Sequence, residues 1–238
     1  MRPRTPGKLI TFEGTEGAGK STLIAEVETL LNLRGLACVR TREPGGSPVA
    51  ERIRELILAG TMDPWTELFL YEAARAEHLA RTILPALEAG KVVLCDRFTD
   101  SSLAYQGAAR GLPWKEIERL NDVATRGIRP DLTVWLDIDP REGLQSAVEI
   151  TRFEREGVAF QTRVRGGFAK AARLEPARFL RLKARSGSPA EMASRVLEEL
   201  EKRVFSRSTR RAPQKRPSPR PARRGRTPKP KGKKIRGR

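Results

Sequence analysis

The segment Gly14-Thr15-Glu16-Gly17-Ala18-Gly19-Lys20-Ser21 fits the pattern G-x-x-x-x-G-K-[ST], a glycine loop that wraps a polyphosphate. No other feature restricts the fold as much, because such a loop works only between a parallel strand and the helix that follows it. Both neighbours are present. Lys8 to Glu13 (KLITFE) reads as a short apolar strand, and Leu23, Val27, Leu30 and Leu31 recur at helical spacing after the loop. The glycines let the backbone curl so that several N–H groups aim at one anion, and the helix N-terminus adds partial positive charge. Lys20 is placed to reach the β and γ phosphates, and the Ser21 hydroxyl can ligate Mg²⁺. The residues from Gly14 through Ser21, with Thr22, are the expected nucleotide-binding set.

Apolar runs alternate with helical periods along the next 180 or so residues, the mark of βαβ units. Strands are expected at Leu36–Thr41, Lys91–Cys95, Leu132–Ile138 and Arg178–Leu182. Helices are expected at Val49–Leu58 (Val49, Ile53, Leu56 and Ile57 inward), at Pro64–Glu88 with a kink at Pro85, and near Ser101–Ala108 and Pro113–Thr125. Further helices are expected at Arg141–Glu149, Glu154–Leu174 and Pro189–Val204. Five strands, each followed by helix, predict an α/β fold: a doubly wound, five-stranded parallel sheet with helices on both faces.

The net charge of +18 misleads if taken for the whole chain. From Ser206 to Arg238 there are 15 Lys or Arg, six Pro and no acid, so residues 1–205 carry only +3. The predicted organisation is a P-loop domain, 1–205, and a disordered basic tail, 206–238, too poor in apolar residues to offset ordering entropy. The tail has no aromatic residue, so any contact with nucleic acid would be weak, salt-dependent and blind to sequence. Two cysteines and the single His78 argue against a disulfide scaffold, a structural zinc site and a Ser-His-Asp hydrolase. No apolar run is long enough for a membrane span, and the N-terminus lacks a secretory apolar core, so a cytoplasmic protein is expected.

Asp96 and Arg97 directly follow the strand KVVLC. At the C-terminal end of a parallel strand they project into the ligand crevice, where Asp96 can hold Mg²⁺ opposite Ser21 and Arg97 can fork onto a phosphate. With this pair in place, TFEGTEGAGKST, TREPGGSPVAERIREL, YEAARAEHL, DRFTDSSLAYQGAARGL and RPDLTVWLDIDP, in this order, resemble the thymidylate kinases, the bacterial branch in particular. The resemblance covers about residues 8–204, and DRFTDSSLAYQG is its most specific piece.

The resemblance implies transfer of the ATP γ-phosphoryl group to dTMP, with Mg²⁺, in a homodimeric enzyme. It implies that Arg97 and Arg54 grip the dTMP phosphate, that Glu16 contacts the deoxyribose 3′-hydroxyl, and that Ser102 reads the thymine edge. It places Tyr105 against the sugar, with Gln106 one residue on. Tyr71 and Arg75 stand four apart on one helix; the aromatic would stack on thymine and the arginine would bond the base or the acceptor phosphate. Most relatives resemble F-x-x-x-R here, which leaves Phe69 as a competing aromatic.

The lid departs from the pattern. With Gly17 in the loop, a bacterial member is expected to carry its catalytic arginine in a lid resembling R-x-R-x-x-x-D-R-x-E. The lid segment, about 144–156, is some three residues short, lacks the early arginines and has Thr151 in place of Asp. Arg152 and Arg155 remain, and Arg152 is the expected lid arginine beside Lys20, Asp96 and Arg97. Two rival readings stay open: a degenerate kinase that binds nucleotide or nucleic acid without turnover, and a kinase of another deoxynucleoside monophosphate.

Overall fold

The computed structural model describes residues 7–146 and 151–206. Five strands form one parallel sheet: β1 (Lys8–Glu13), β2 (Cys38–Arg42), β3 (Val92–Asp96), β4 (Leu132–Asp137) and β5 (Phe179–Lys183), in the spatial order β2-β3-β1-β4-β5. The expected sheet is therefore present, with β2 starting two residues later than its apolar pattern suggested. The central strand β1 lies between β3 and β4, where the winding reverses; ligands of such sheets bind beyond the strand ends at that point. Register brings the ends together: Phe12 pairs with Asp96, and Arg42 also pairs with Asp96.

The helices are α1 (Lys20–Leu33), α2 (Pro48–Ala59), α3 (Pro64–His78), α4 (Leu84–Glu88), α5 (Thr99–Ser102), α6 (Trp114–Ala124), α7 (Pro140–Gln145), α8 (Arg152–Arg155), α9 (Gly157–Leu174) and α10 (Pro189–Leu200). Four of them start the same way. Ser47, Asp63, Asp139 and Ser188 each accept backbone N–H groups of the first turn, and each is followed by proline, whose fixed φ suits that turn. The expected helix 64–88 is one path in two parts. Leu84 N–H bonds back five residues to Leu79, and this wide turn (Leu79–Ile83) sits just ahead of Pro85, which has no N–H to give. A second wide turn, Leu103–Ala109, continues α5, and the predicted helix 154–174 is broken at Gly157, whose φ is +78°. The predicted helix 141–149 is seen to Gln145; the lid residues 147–150 and the tail after Ser206 lie outside the described residues.

Both sheet faces are covered. Ile10, Phe12, Leu94 and Val134 pack against Leu23, Val27 and Leu31 of α1 and Val196 and Leu200 of α10. Leu9, Val93 and Cys95 face Leu79, Ile83 and Phe98 on the other side. Burial on both faces is why β3 is apolar without alternation. One inward set is corrected. On α2 it is Ala50 and Ile57 that are fully buried, with Ile53 partly so, while Val49 and Leu56 are exposed.

Candidate active site

Gly14–Ser21 joins β1 to α1 and wraps around the end of the sheet. At Gly17 the loop takes φ +72°, and a Cβ there would stand 2.1 Å from the Gly143 carbonyl. The close approach seats α7 directly against the phosphate loop. Lys20 is buried, and its Nζ bonds the carbonyls of Thr15 (3.0 Å) and Gly14 (3.3 Å) within its own loop. Burial, then the nearby Arg97, lowers its pKa.

Ser21 Oγ lies 3.4 Å from Asp96 Oδ2, while Asp96 Oδ1 is buried without a partner among the described residues. An orphaned carboxylate oxygen beside a hydroxyl, next to a phosphate cradle, is a donor set that suits Mg²⁺, which takes few protein oxygens and fills its shell with phosphate and water. Such an ion would offset phosphate charge there.

Arg97 holds a left-handed backbone, φ 67°, costly for a residue with a Cβ. Its N–H bonds the Phe12 carbonyl at 2.9 Å, and its guanidinium bonds the Gly14 carbonyl (2.8 Å) and Glu16 (3.2 Å) above the Tyr105 ring. Burial alone would raise the Glu16 carboxyl, but Lys20 and Arg97 hold it below its ordinary value.

The Arg97 turn is clamped from below by Glu13, which accepts Phe98 N–H (2.8 Å) and the Ser101 hydroxyl (2.6 Å). Burial, then the charge of Asp100, pushes the Glu13 carboxyl up to about 8. An acid raised on folding keeps its proton in the native state while the unfolded chain loses it. This group therefore contributes most at low pH, and its share of stability declines as pH rises from about 4.5 to about 8. Glu13→Gln cannot ionise, so its melting temperature should fall less than the wild type's across that window; parallel slopes in thermal melts would reject the assignment.

A cavity of about 220 Å³ opens from the phosphate loop. Of the expected site residues, Glu16, Lys20, Ser21, Arg54, Tyr71, Arg75, Asp96, Arg97, Tyr105 and Gln106 line it. Arg54 is steadied by the Pro44 carbonyl at 3.1 Å. Of the competing aromatics, Tyr71 faces the cavity, while Phe69 stacks on Trp65 and is 54% exposed.

Arg75 is buried with all five N–H groups engaged, by Glu43, Glu72, Asn121, the Phe98 carbonyl and Ser102. Glu43 also meets His78, which spans Glu43 and Thr41 in the core.

Among the expected substrate-binding and catalytic residues, two stand apart from the cavity wall. Ser102 sits behind Arg75, and it is Ser101 that lines the space. Arg152 turns to buried Glu67 (2.6 Å) and lies over the Phe153 ring, with its Nε unpartnered. Its neighbours Thr151, Phe153 and Glu154 face the cavity instead. Phe98 and Leu58 also line the wall, unforeseen from sequence. Phe98 and Ser101 lay inside the DRFTDSS motif, so the strand-end turn was the available signal; Leu58 carried none.

The same architecture recurs among known proteins. The family model described as thymidylate kinase matches residues 12–195. A thymidylate kinase of Synechococcus sp. (strain JA-2-3B'a(2-13)) is 50% identical over 196 residues, covering 82% of this chain and 95% of that protein. One from Halalkalibacterium halodurans is 45% identical, covering 81% and 95%. The crystal structure of thymidylate kinase from Ehrlichia chaffeensis superposes with a TM-score of 0.69 at 33% identity, covering 82% of this chain and 99% of that one. A glycine cradle, an aspartate–arginine pair beside it and a shared cavity, on a chain matched over most of its length, place this protein in the thymidylate kinase family.

Proposed function

We propose that this protein transfers the γ-phosphoryl group of ATP to dTMP, giving dTDP and ADP. The observation that carries the reading is one cavity shared by the phosphate loop, the Asp96–Arg97 pair and Arg54, with Tyr71, Tyr105 and Gln106 along the same wall. ATP lies in the cradle, its β and γ phosphates met by main-chain N–H groups and Lys20; Ser21 and Asp96 would hold Mg²⁺, which would supply charge neutralisation. The dTMP phosphate lies under Arg97 and Arg54, and thymine lies against Tyr71. The attacking phosphate oxygen is already anionic at neutral pH, so no general base is required, and catalysis rests on positioning and charge neutralisation. Coupled ADP release with dTMP, dUMP, dCMP and dGMP tests it. Turnover should be greatest with dTMP; no dTMP-dependent ADP would leave a nucleotide-binding protein in its place.

The active form is a homodimer in this reading. Val49 and Leu56 are exposed seven residues apart on α2, and Phe69 is exposed on the adjacent α3, an apolar strip of the kind a two-fold covers. Leu56→Glu with Phe69→Glu should shift sedimentation from dimer to monomer; an unchanged dimer would place the interface elsewhere. The basic tail adds weak polyanion contact in this reading. Truncation after Phe205 should keep kinase activity and abolish DNA retention at low salt, and equal retention would exclude the tail. Among the described residues no helix is long and apolar enough to cross a membrane.

A further inference from the structure

Glu67 of α3 is 1% exposed, yet it is the meeting point of three elements. Its Oε1 accepts the amide N–H of Gln106 at 2.7 Å, and its Oε2 accepts Arg152 from the lid at 2.6 Å. Arg110 reaches both oxygens, at 3.5 and 3.4 Å. A carboxylate flanked by two guanidinium groups only accepts, so it settles which end of the Gln106 amide it will take. One N–H of the amide is used on Glu67, and the amide oxygen, which has no partner among the described residues, remains to accept at the cavity that Gln106 lines.

Resting on the reading of the chain as a dTMP kinase, we propose that Glu67 is a positioning residue for base selection. It locks the Gln106 amide so that an acceptor, not a donor, faces the base. Thymine and uracil carry an N–H on the pairing edge and satisfy that oxygen. Cytosine presents a ring-nitrogen lone pair there, and two lone pairs repel. Gln106 cannot answer by rotating, because rotation would leave its NH₂ without the buried carboxylate and set its carbonyl against it. An unconstrained amide would turn over at little cost and serve either ring.

The test compares dTMP with dCMP, as substrate and as competing ligand, on the full-length protein. In the wild type the kcat/KM ratio should strongly favour dTMP. In Glu67→Gln that ratio should fall about tenfold or more, because an amide partner can accept or donate and frees Gln106 to turn. The KM for ATP should stay near its wild-type value. Gln106→Met should lose discrimination to a similar degree, and the double variant should lose no more than Gln106→Met alone. A Glu67→Gln protein that slows both substrates equally, with the ratio intact, overturns the proposal. Should that variant not fold, Glu67→Asp keeps the charge for Arg110 and Arg152 while withdrawing from Gln106. A lowered ratio there supports the proposal, and an unchanged ratio overturns it. A wild type with no dTMP turnover sinks the kinase reading itself, and does so before any variant is made.

Discussion

Arg97→Ala should lower kcat/KM for dTMP by about 10³-fold or more while leaving the KM for ATP nearly unchanged. The guanidinium lines the cavity, bonded to Gly14 and Glu16 of the phosphate loop from the turn that follows β3. Its backbone is held left-handed at φ 67° against steric preference, by Phe12 above and through the Glu13 clamp on Phe98 and Ser101. Strain of that kind persists where surrounding structure over-determines it, and in the proposed reaction it would aim a forked cation at the place where the acceptor phosphate meets the donor. Arg97→Lys separates the contributions. A lysine keeps the charge and the strained backbone but loses the planar fork, so it should recover only part of the loss. A loss below about tenfold in Arg97→Ala would remove this side chain from phosphate binding.

The parts of the site legible in the sequence were those fixed by local chain geometry. The cradle at Gly14–Ser21 and the pair Asp96–Arg97 are each dictated by a strand end, and strand ends can be read from apolar runs. What stayed hidden depends on packing between distant segments. Ser101 and Ser102 are adjacent on one short helix, and only the bulk of Arg75, arriving from α3, decides that Ser102 is covered and Ser101 faces the cavity. The same holds for α2. Periodicity grouped Val49, Ile53, Leu56 and Ile57 as one face, but Ala50 with Ile57 is the pair that meets the core, because small Ala50 carries no strong apolar signal. Glu67 was invisible for a third reason. A lone glutamate on a helix reads as solvated surface, and its burial rests on Gln106, Arg110 and Arg152, which lie 39, 43 and 85 residues further along the chain.

Arg152→Ala should lower kcat by about 10²- to 10³-fold and change the KM for ATP far less, although Arg152 does not face the cavity at rest. Arg152 and Arg155 are the arginines of the segment expected to form a lid, and Arg155 is exposed at the end of the single-turn α8. Arg152 is better placed. Its neighbours Phe153 and Glu154 already line the cavity, and α8 is pinned by Thr151 and Glu154 capping one another, so a rotamer change rather than a refolded segment brings the guanidinium inward. Leaving Glu67 strands nothing, since Gln106 and Arg110 stay bonded to that carboxylate. Staying has its own cost, for Nε is buried without a partner, and a transferring phosphoryl group would satisfy it. The interaction would then be stronger in the transition state than at rest, which is the condition for raising kcat rather than affinity. Two readouts divide this role from that of Glu67: Arg152→Ala should move turnover and leave the choice between dTMP and dCMP intact. Wild-type turnover in Arg152→Ala would take the residue out of the mechanism and leave Arg155 as the remaining arginine of that segment.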